Sequence, residues 1–143
     1  ANLKKLKKLK IGSMKKLSIE ETIGAIAGIG NLNELDISYN NIYEIPDNID
    51  NLQGIEYLDL SGNSGLYKIS NDLPKLMKIK SLKAVNLKNI PMFSDKDKEM
   101  IKNKLQGIDV SFDDNAYYQF ERVRIAFETA KSTKSLGIDF PEN

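Results

Sequence analysis

The sequence contains neither cysteine nor histidine. Without cysteine the chain has no disulfide frame and no thiolate nucleophile. Without histidine it lacks the commonest general base and the commonest metal ligand, which excludes serine–histidine triads and histidine-based zinc sites. The absence of cysteine fits a reducing cytoplasm, and it fits equally well a bacterial exported protein that avoids cysteine.

The sequence also lacks a strong charge imbalance and a long apolar run. Its 143 residues carry a net charge of +1, with 41% hydrophobic and 29% charged residues. These values are typical of one globular domain with no bulk attraction to nucleic acid or membrane. No apolar run approaches the length of about 20 residues that spans a bilayer. The chain begins at Ala1 rather than Met, so we expect a fragment of a larger protein.

What the sequence does contain is a repeat. Apolar residues at relative positions 1, 4 and 6 recur five times, and the first members of successive copies are 26, 23, 27 and 23 residues apart. The copies are Leu6, Leu9, Ile11; Leu32, Leu35, Ile37; Ile55, Leu58, Leu60; Leu82, Val85, Leu87; and Leu105, Ile108, Val110. Positions 4 and 6 share one face of a short strand, because side chains alternate along a strand. One repeat cannot bury that face alone, so the pattern predicts stacked repeats and one continuous core.

Residues 32–52, LNELDISYNNIYEIPDNIDNL, and residues 55–76 resemble leucine-rich repeats of the LxxLxLxxNxLxxLPxxLxxL type, and the resemblance extends over residues 6–112. It implies an α/β solenoid, curved, with about five parallel strands on a concave face and with helices and irregular turns on the convex side. We expect the strands to centre on Leu9, Leu35, Leu58, Val85 and Ile108. The resemblance also implies a buried ladder at Asn40 and Asn63, which is short because the equivalent places hold Met14, Ile90 and Asp113.

The sequence predicts two parts, repeats over residues 1–112 and a helical cap and tail over residues 113–143. Helices are expected after Ser18, over residues 94–105 and over residues 115–131. Aromatic residues such as Phe120 and Phe127 recur at helical spacing in the last of these, which favours a C-terminal cap over the last repeat. At the other end only five residues precede Leu6, so we expect upstream repeats or a partner to cover that edge.

Function, on this interpretation, depends on the strand residues that point away from the core. The predicted partner-binding residues on the concave face are Glu34, Asp36, Tyr39, Glu56, Tyr57, Asp59, Lys83, Asn86 and Asp109. Charge is segregated along the chain: residues 31–67 hold seven acids and no Lys or Arg, whereas residues 1–17 hold seven lysines and no acid. Adjacent strands lie about 4.8 Å apart, so Asp36 and Asp59 should repel and favour a basic protein partner.

Three alternatives stay open: a merely solvated acidic surface, a recognition or regulatory domain of a larger protein such as a bacterial effector or surface protein, and a purely structural solenoid. Membrane or nucleic-acid binding by the lysine-rich start is disfavoured, because that stretch has no interleaved aromatics. We expect no enzyme activity, no cofactor and no metal, since the carboxylate pairs would lie on an open face and Asp95-Lys96-Asp97 lacks the glycine of a calcium loop. A secreted or cell-surface bacterial location is slightly favoured over the cytoplasm.

Overall fold

The computed structural model describes residues 3–12, 18–90, 93–113 and 127–131. By its internal contacts the chain divides into two compact units, Ala1–Phe112 and Asp113–Asn143. The first unit contains all the strands that the structure describes.

Five three-residue strands form one parallel sheet in chain order. They are β1 (Lys8–Lys10), β2 (Glu34–Asp36), β3 (Tyr57–Asp59), β4 (Ala84–Asn86) and β5 (Asp109–Ser111). Each strand is paired only with its sequence neighbours, as in a solenoid in which every repeat stacks on the previous one. The predicted α/β leucine-rich-repeat fold is therefore confirmed, and the first four strands centre on the predicted residues.

Helical segments connect successive strands. They are α1 (Ile19–Ile26), a 3₁₀ helix (Asp47–Asn51), a 3₁₀ helix (Ser64–Asn71) that leads into α2 (Leu73–Leu76), and α3 (Asp95–Lys104). Local sequence explains their starts. The Ser18 hydroxyl accepts a hydrogen bond from the Glu21 N–H, and Ser94 with Asp97 forms a full capping box. Pro46 precedes the segment with little helical periodicity, which folds into the shorter 3₁₀ form.

One apolar core runs between the strands and the helical segments. The central strand residues Leu35 and Leu58 are fully buried, and so are Ile23 from α1, Ile49 from the first 3₁₀ helix and Ile101 from α3. The first repeat differs, because its apolar residues are only partly buried against this core. Burial therefore deepens from the first repeat to the second.

A short asparagine ladder closes the turns after β2 and β3. The Asn63 side chain donates to the carbonyls of Ile37 and Leu60, and its Oδ1 accepts from the N–H groups of Asn40 and Ile42 at 2.9 and 3.1 Å. Both asparagines are buried. The next place in this column is Ile90, which is fully buried as well. The structure thus contains the ladder at Asn40 and Asn63, and Ile90 ends it after β4. Met14 lies outside the described residues. The assignment of Asp113 to this column was wrong, because the register of β5 moves that place by two residues.

The fifth strand was predicted two residues too early. Val110, not Ile108, pairs with Val85, so Asp109 lies opposite Ala84 and Ser111 opposite Asn86. The reason is the end of α3. Leu105 forms its fully buried C-cap, and Gly107 at φ +83° supplies the left-handed turn that must follow before the strand begins.

In the second unit, residues 127–131 are helical, and most of the helix predicted over residues 115–131 lies outside the described residues. Phe127, predicted as part of its buried stripe, is 62% exposed and has the Lys131 ammonium 4.8 Å from its ring centroid. That this helix caps the last repeat stays a prediction.

Candidate functional site

The strand residues that point away from the core form what we call the sheet face. The strand register aligns them in two rows, each crossing all five strands. One row is Lys8, Glu34, Tyr57, Ala84, Asp109, and the other is Lys10, Asp36, Asp59, Asn86, Ser111. Glu56 and Lys83 directly precede β3 and β4 and border the first row. All the predicted binding residues except Tyr39 lie in or next to these rows, and Tyr39 follows the end of β2. Asp109 lies in the first row rather than beside Asn86, where it was predicted.

Three acids of the sheet face, Glu34, Asp36 and Glu56, have lysine partners within the same chain. Salt bridges join Lys8 to Glu34 at 3.0 Å, Lys10 to Asp36 at 2.6 Å, and Lys83 to Glu56 at 3.0 Å. The acidic segment of the sequence therefore lies between basic strands in space. The sheet face is a mixed-charge surface and not the purely acidic patch that the sequence suggested.

Two aspartates of the second row also have a structural role. Asp36 Oδ1 accepts from the Ser38 N–H at 3.0 Å, and Asp59 Oδ1 accepts from the Ser61 N–H at 2.9 Å. Asn86 does the same for the Lys88 N–H at 3.1 Å. These bonds satisfy backbone donors where each strand ends. The sequence analysis did not predict that these side chains accept hydrogen bonds from the turn backbone. The sequence signal for such a bond is an Asp or Asn two residues before a residue of the turn.

The second carboxylate oxygen of each aspartate faces the neighbouring strand. Asp36 Oδ2 accepts from Lys10 Nζ, and Asp59 Oδ2 accepts from Asn86 Nδ2 at 3.0 Å. Burial raises the pKa of Asp36, but the hydrogen bonds from Lys10 and Ser38 outweigh it and hold that pKa below 3.8. The hydrogen bond and the charge of Asp36 in turn raise the pKa of Lys10 above 10.5. Both groups are therefore charged at neutral pH.

Tyr57 occupies the centre of the sheet face on the middle strand, and its side chain is half-buried. Burial raises the pKa of its phenol, and the charge of Asp59 adds to this, while the hydrogen bond with Asn86 opposes it. The phenol therefore stays protonated at neutral pH. It can offer a hydrogen bond to a ligand from a fixed position, and its ring supplies apolar area beside charged neighbours.

Beyond the strand ends, two further tyrosines are far more exposed. Tyr39 is 53% and Tyr43 is 67% exposed. Tyr39 has a left-handed backbone (φ 54°), as Gly62 (φ 69°) and Asn89 (φ 55°) do at the same position of the next two repeats. Sequence reasoning included Tyr39 but missed Tyr43, because Tyr43 lies outside the strand pattern.

Two classes of site find no support in the part of the chain that the structure describes. No cluster of acidic side chains there could hold a metal ion. No helix among the same residues is long and apolar enough to cross a membrane.

Comparison with known proteins agrees with the architecture. Residues 4–64 match a family model described as leucine rich repeat, and this match spans β1, β2 and β3. No curated protein matches the chain. Leucine-rich repeats generally mediate protein–protein interaction, and the family is typically non-enzymatic. The family match over residues 4–64, together with the five stacked parallel strands, shows a leucine-rich-repeat fold.

Proposed function

We propose that the chain is a protein-interaction module whose partner binds the sheet face, with Tyr57 at the centre of the contact. The observation that carries this proposal is the position of Tyr57 on the middle strand, with its phenol beside Asn86 and Asp59. Tyrosine is enriched among the residues that dominate interface energies, because it combines a large rigid ring with a hydroxyl. A short parallel sheet with one open face offers that ring to a flat or extended partner surface.

The charges around Tyr57 support a partner that presents lysine or arginine. Asp59 accepts hydrogen bonds from two uncharged groups, the Ser61 N–H and the Asn86 amide. The lysines that pair with Glu34, Asp36 and Glu56 have well-exposed side chains. Exposed ion pairs contribute only about 0–1 kcal/mol, so basic groups of a partner can replace these lysines at small cost. Association with such a partner should slow as salt is raised.

The test is affinity capture from the source organism, followed by binding measurements with variants of the full chain. Tyr57→Ala should weaken binding by about 2 kcal/mol if the residue is a hot spot. Asp59→Asn should weaken it as well, because the substitution removes the charge but keeps the oxygen that accepts from Ser61. It also removes the acceptor for Asn86 Nδ2, so the variant's melting temperature is measured beside its binding. Replacement of Asp36 and Asp59 by lysine is the less suitable test, since it would also remove both backbone acceptors.

Asp50→Asn is the matched control. Asp50 is an exposed acid on the 3₁₀ helix Asp47–Asn51, away from the sheet face. It should leave binding unchanged. Equal binding by wild type, Tyr57→Ala and Asp59→Asn would show that the sheet face is only solvated surface. The alternative of a recognition domain within a larger protein would use the same face, and the full open reading frame decides between the two.

A further inference from the structure

We call the two exposed tyrosines after β2, Tyr39 and Tyr43, the tyrosine ridge. The Tyr39 ring lies across Gly62 so closely that a Cβ there would come within 2.3 Å of Cε1 and 2.4 Å of Cδ1. Its hydroxyl accepts from Asn89 Nδ2 at 2.8 Å, so the side chain reaches across two repeats. Tyr39 is therefore held at both ends while more than half of it stays exposed.

Tyr43 is held in a similar way. A Cβ at Gly65 would lie 2.4 Å from its Cδ1, and its hydroxyl accepts from Asn41 Nδ2 at 2.6 Å. A glycine of the next repeat thus provides room for each ring. Aromatic side chains that are already fixed lose little conformational entropy when a partner covers them. Exposed rings held in this manner suit binding better than they suit stability, because apolar ring area in water stabilises nothing.

An ion pair within the chain shows that this surface binds a positive charge. Lys10 Nζ donates to Asp36 Oδ2 at 2.6 Å, and the Lys10 side chain is 65% exposed. Lys10 belongs to β1, the edge strand whose apolar residues are only partly buried. A cation thus already lies on the second row of the sheet face, paired with Asp36, three residues before Tyr39.

We propose that the tyrosine ridge and the adjoining Asp36 and Asp59 bind an arginine-bearing segment of the protein partner, and that Lys10 is the intramolecular competitor for this place. The proposal rests on the proposed function, because it specifies where on the partner-binding surface the basic group lies. The guanidinium group stacks on the open face of Tyr39 and pairs with Asp36, from which it displaces the Lys10 ammonium. Arginine suits the place better than lysine, since its planar group stacks on a ring and pairs with a carboxylate simultaneously.

The experiment uses the full chain, a blocked Gly-Arg-Gly-Arg-Gly peptide as the probe, and amide and aromatic NMR spectra to follow its binding. Lys10→Met removes the competitor and should tighten binding at least threefold. Lys7→Met is the matched control, because Lys7 is an exposed lysine just before β1 and its loss changes the net charge equally. It should have a smaller effect. Tyr39→Leu retains an apolar side chain but not the ring face, and should weaken binding about two- to fivefold.

Chemical-shift changes should centre on Tyr39, Gly62 and Asn89, and a Gly-Glu-Gly-Glu-Gly peptide should cause none. Equal effects of Lys10→Met and Lys7→Met would overturn the proposal, and so would shift changes that leave the tyrosine ridge unaffected. The captured partner separates this failure from failure of the proposed function. If its binding depends on Tyr57 but not on Tyr39, the sheet face binds a protein and the arginine site is wrong. If its binding depends on neither residue, the proposed function fails.

Discussion

The first repeat and the two repeats after it share one apolar pattern but differ in what holds them. Leu35 and Leu58 are fully buried between neighbouring repeats, whereas Leu9 at the same position is only partly buried. The later repeats add the Asn40–Asn63 ladder, while β1 adds two exposed ion pairs to β2. The difference teaches that a repeat's stability depends on its neighbours more than on its own sequence.

The largest expected effect separates the two regions directly. Leu58→Asp buries an unpaired charge in the fully packed core and should unfold the first unit. Leu9→Asp places the same charge at a partly exposed position, so the later repeats should keep a cooperative melt. Circular dichroism melts of the two variants measure the difference. A cooperative melt of Leu58→Asp near the wild-type temperature would contradict the packing, and equal damage from Leu9→Asp would mean that all repeats unfold as one.

A smaller loss is expected from the asparagine ladder. Asn63→Ala removes the acceptor for two backbone N–H groups and the donor for the Ile37 and Leu60 carbonyls, all without solvent to replace it. The free energy of unfolding should fall by about 1–3 kcal/mol. Denaturant melts at a fixed protein concentration provide the measurement. Asn51→Ala, on the exposed end of the 3₁₀ helix, is the control and should change stability little. Identical midpoints for wild type and Asn63→Ala would refute the ladder's role.

The smallest expected effect is the pH dependence of the contact between β1 and β2. The pKa of Asp36 is lowered, so its stabilising contribution is complete above 3.8 and is lost as the pH falls through its depressed value. The pKa of Lys10 is raised, so its contribution is lost only as the pH rises above 10.5. Protection of the β1 contact should thus be flat between about pH 5 and 10, and should drop by about two- to fivefold in acid.

Amide exchange measures this, with the Ile11 N–H, which donates to the Asp36 carbonyl, as the reporter. The Leu60 N–H, which donates to the Asn86 carbonyl in the later repeats, is the reference. Asp36→Asn should reduce the acid-induced difference between the two protection factors, and the Lys8–Glu34 pair accounts for what is left. If acid leaves the Ile11 protection unchanged relative to Leu60 in the wild type, the Lys10–Asp36 pair does not hold β1.

The sequence predicted the fold better than the binding surface. A strict apolar spacing identified four strands, because burial on one face requires that spacing whatever the neighbours are. The ladder followed from the resemblance to leucine-rich repeats. The apolar spacing misplaced the fifth strand, since the turn at Gly107 depends on where α3 ends. It also missed the partners of the acids. Charges that are segregated along the chain alternate in space, because residues 26 or 27 positions apart, such as Lys10 and Asp36 or Glu56 and Lys83, become neighbours on adjacent strands.

The exposed tyrosines were out of reach of the repeat pattern for a different reason. Tyr39 has a left-handed backbone that a non-glycine residue adopts rarely, and its placement depends on Gly62 in the next repeat and Asn89 in the one after. The sequence shows glycine at position 62 and asparagine at position 89, two residue types that favour the left-handed conformation. It does not show that the Tyr39 ring packs over Gly62.

Site-specific photo-crosslinking tests the central claim most directly. A benzophenone side chain at position 57 of the full protein lies on the sheet face, and the same group at position 51 lies on the exposed 3₁₀ helix Asp47–Asn51. Irradiation in the source organism should give a discrete protein adduct from position 57 and none from position 51. An adduct of the same protein from position 51 alone, or equally from both positions, would contradict binding at the sheet face.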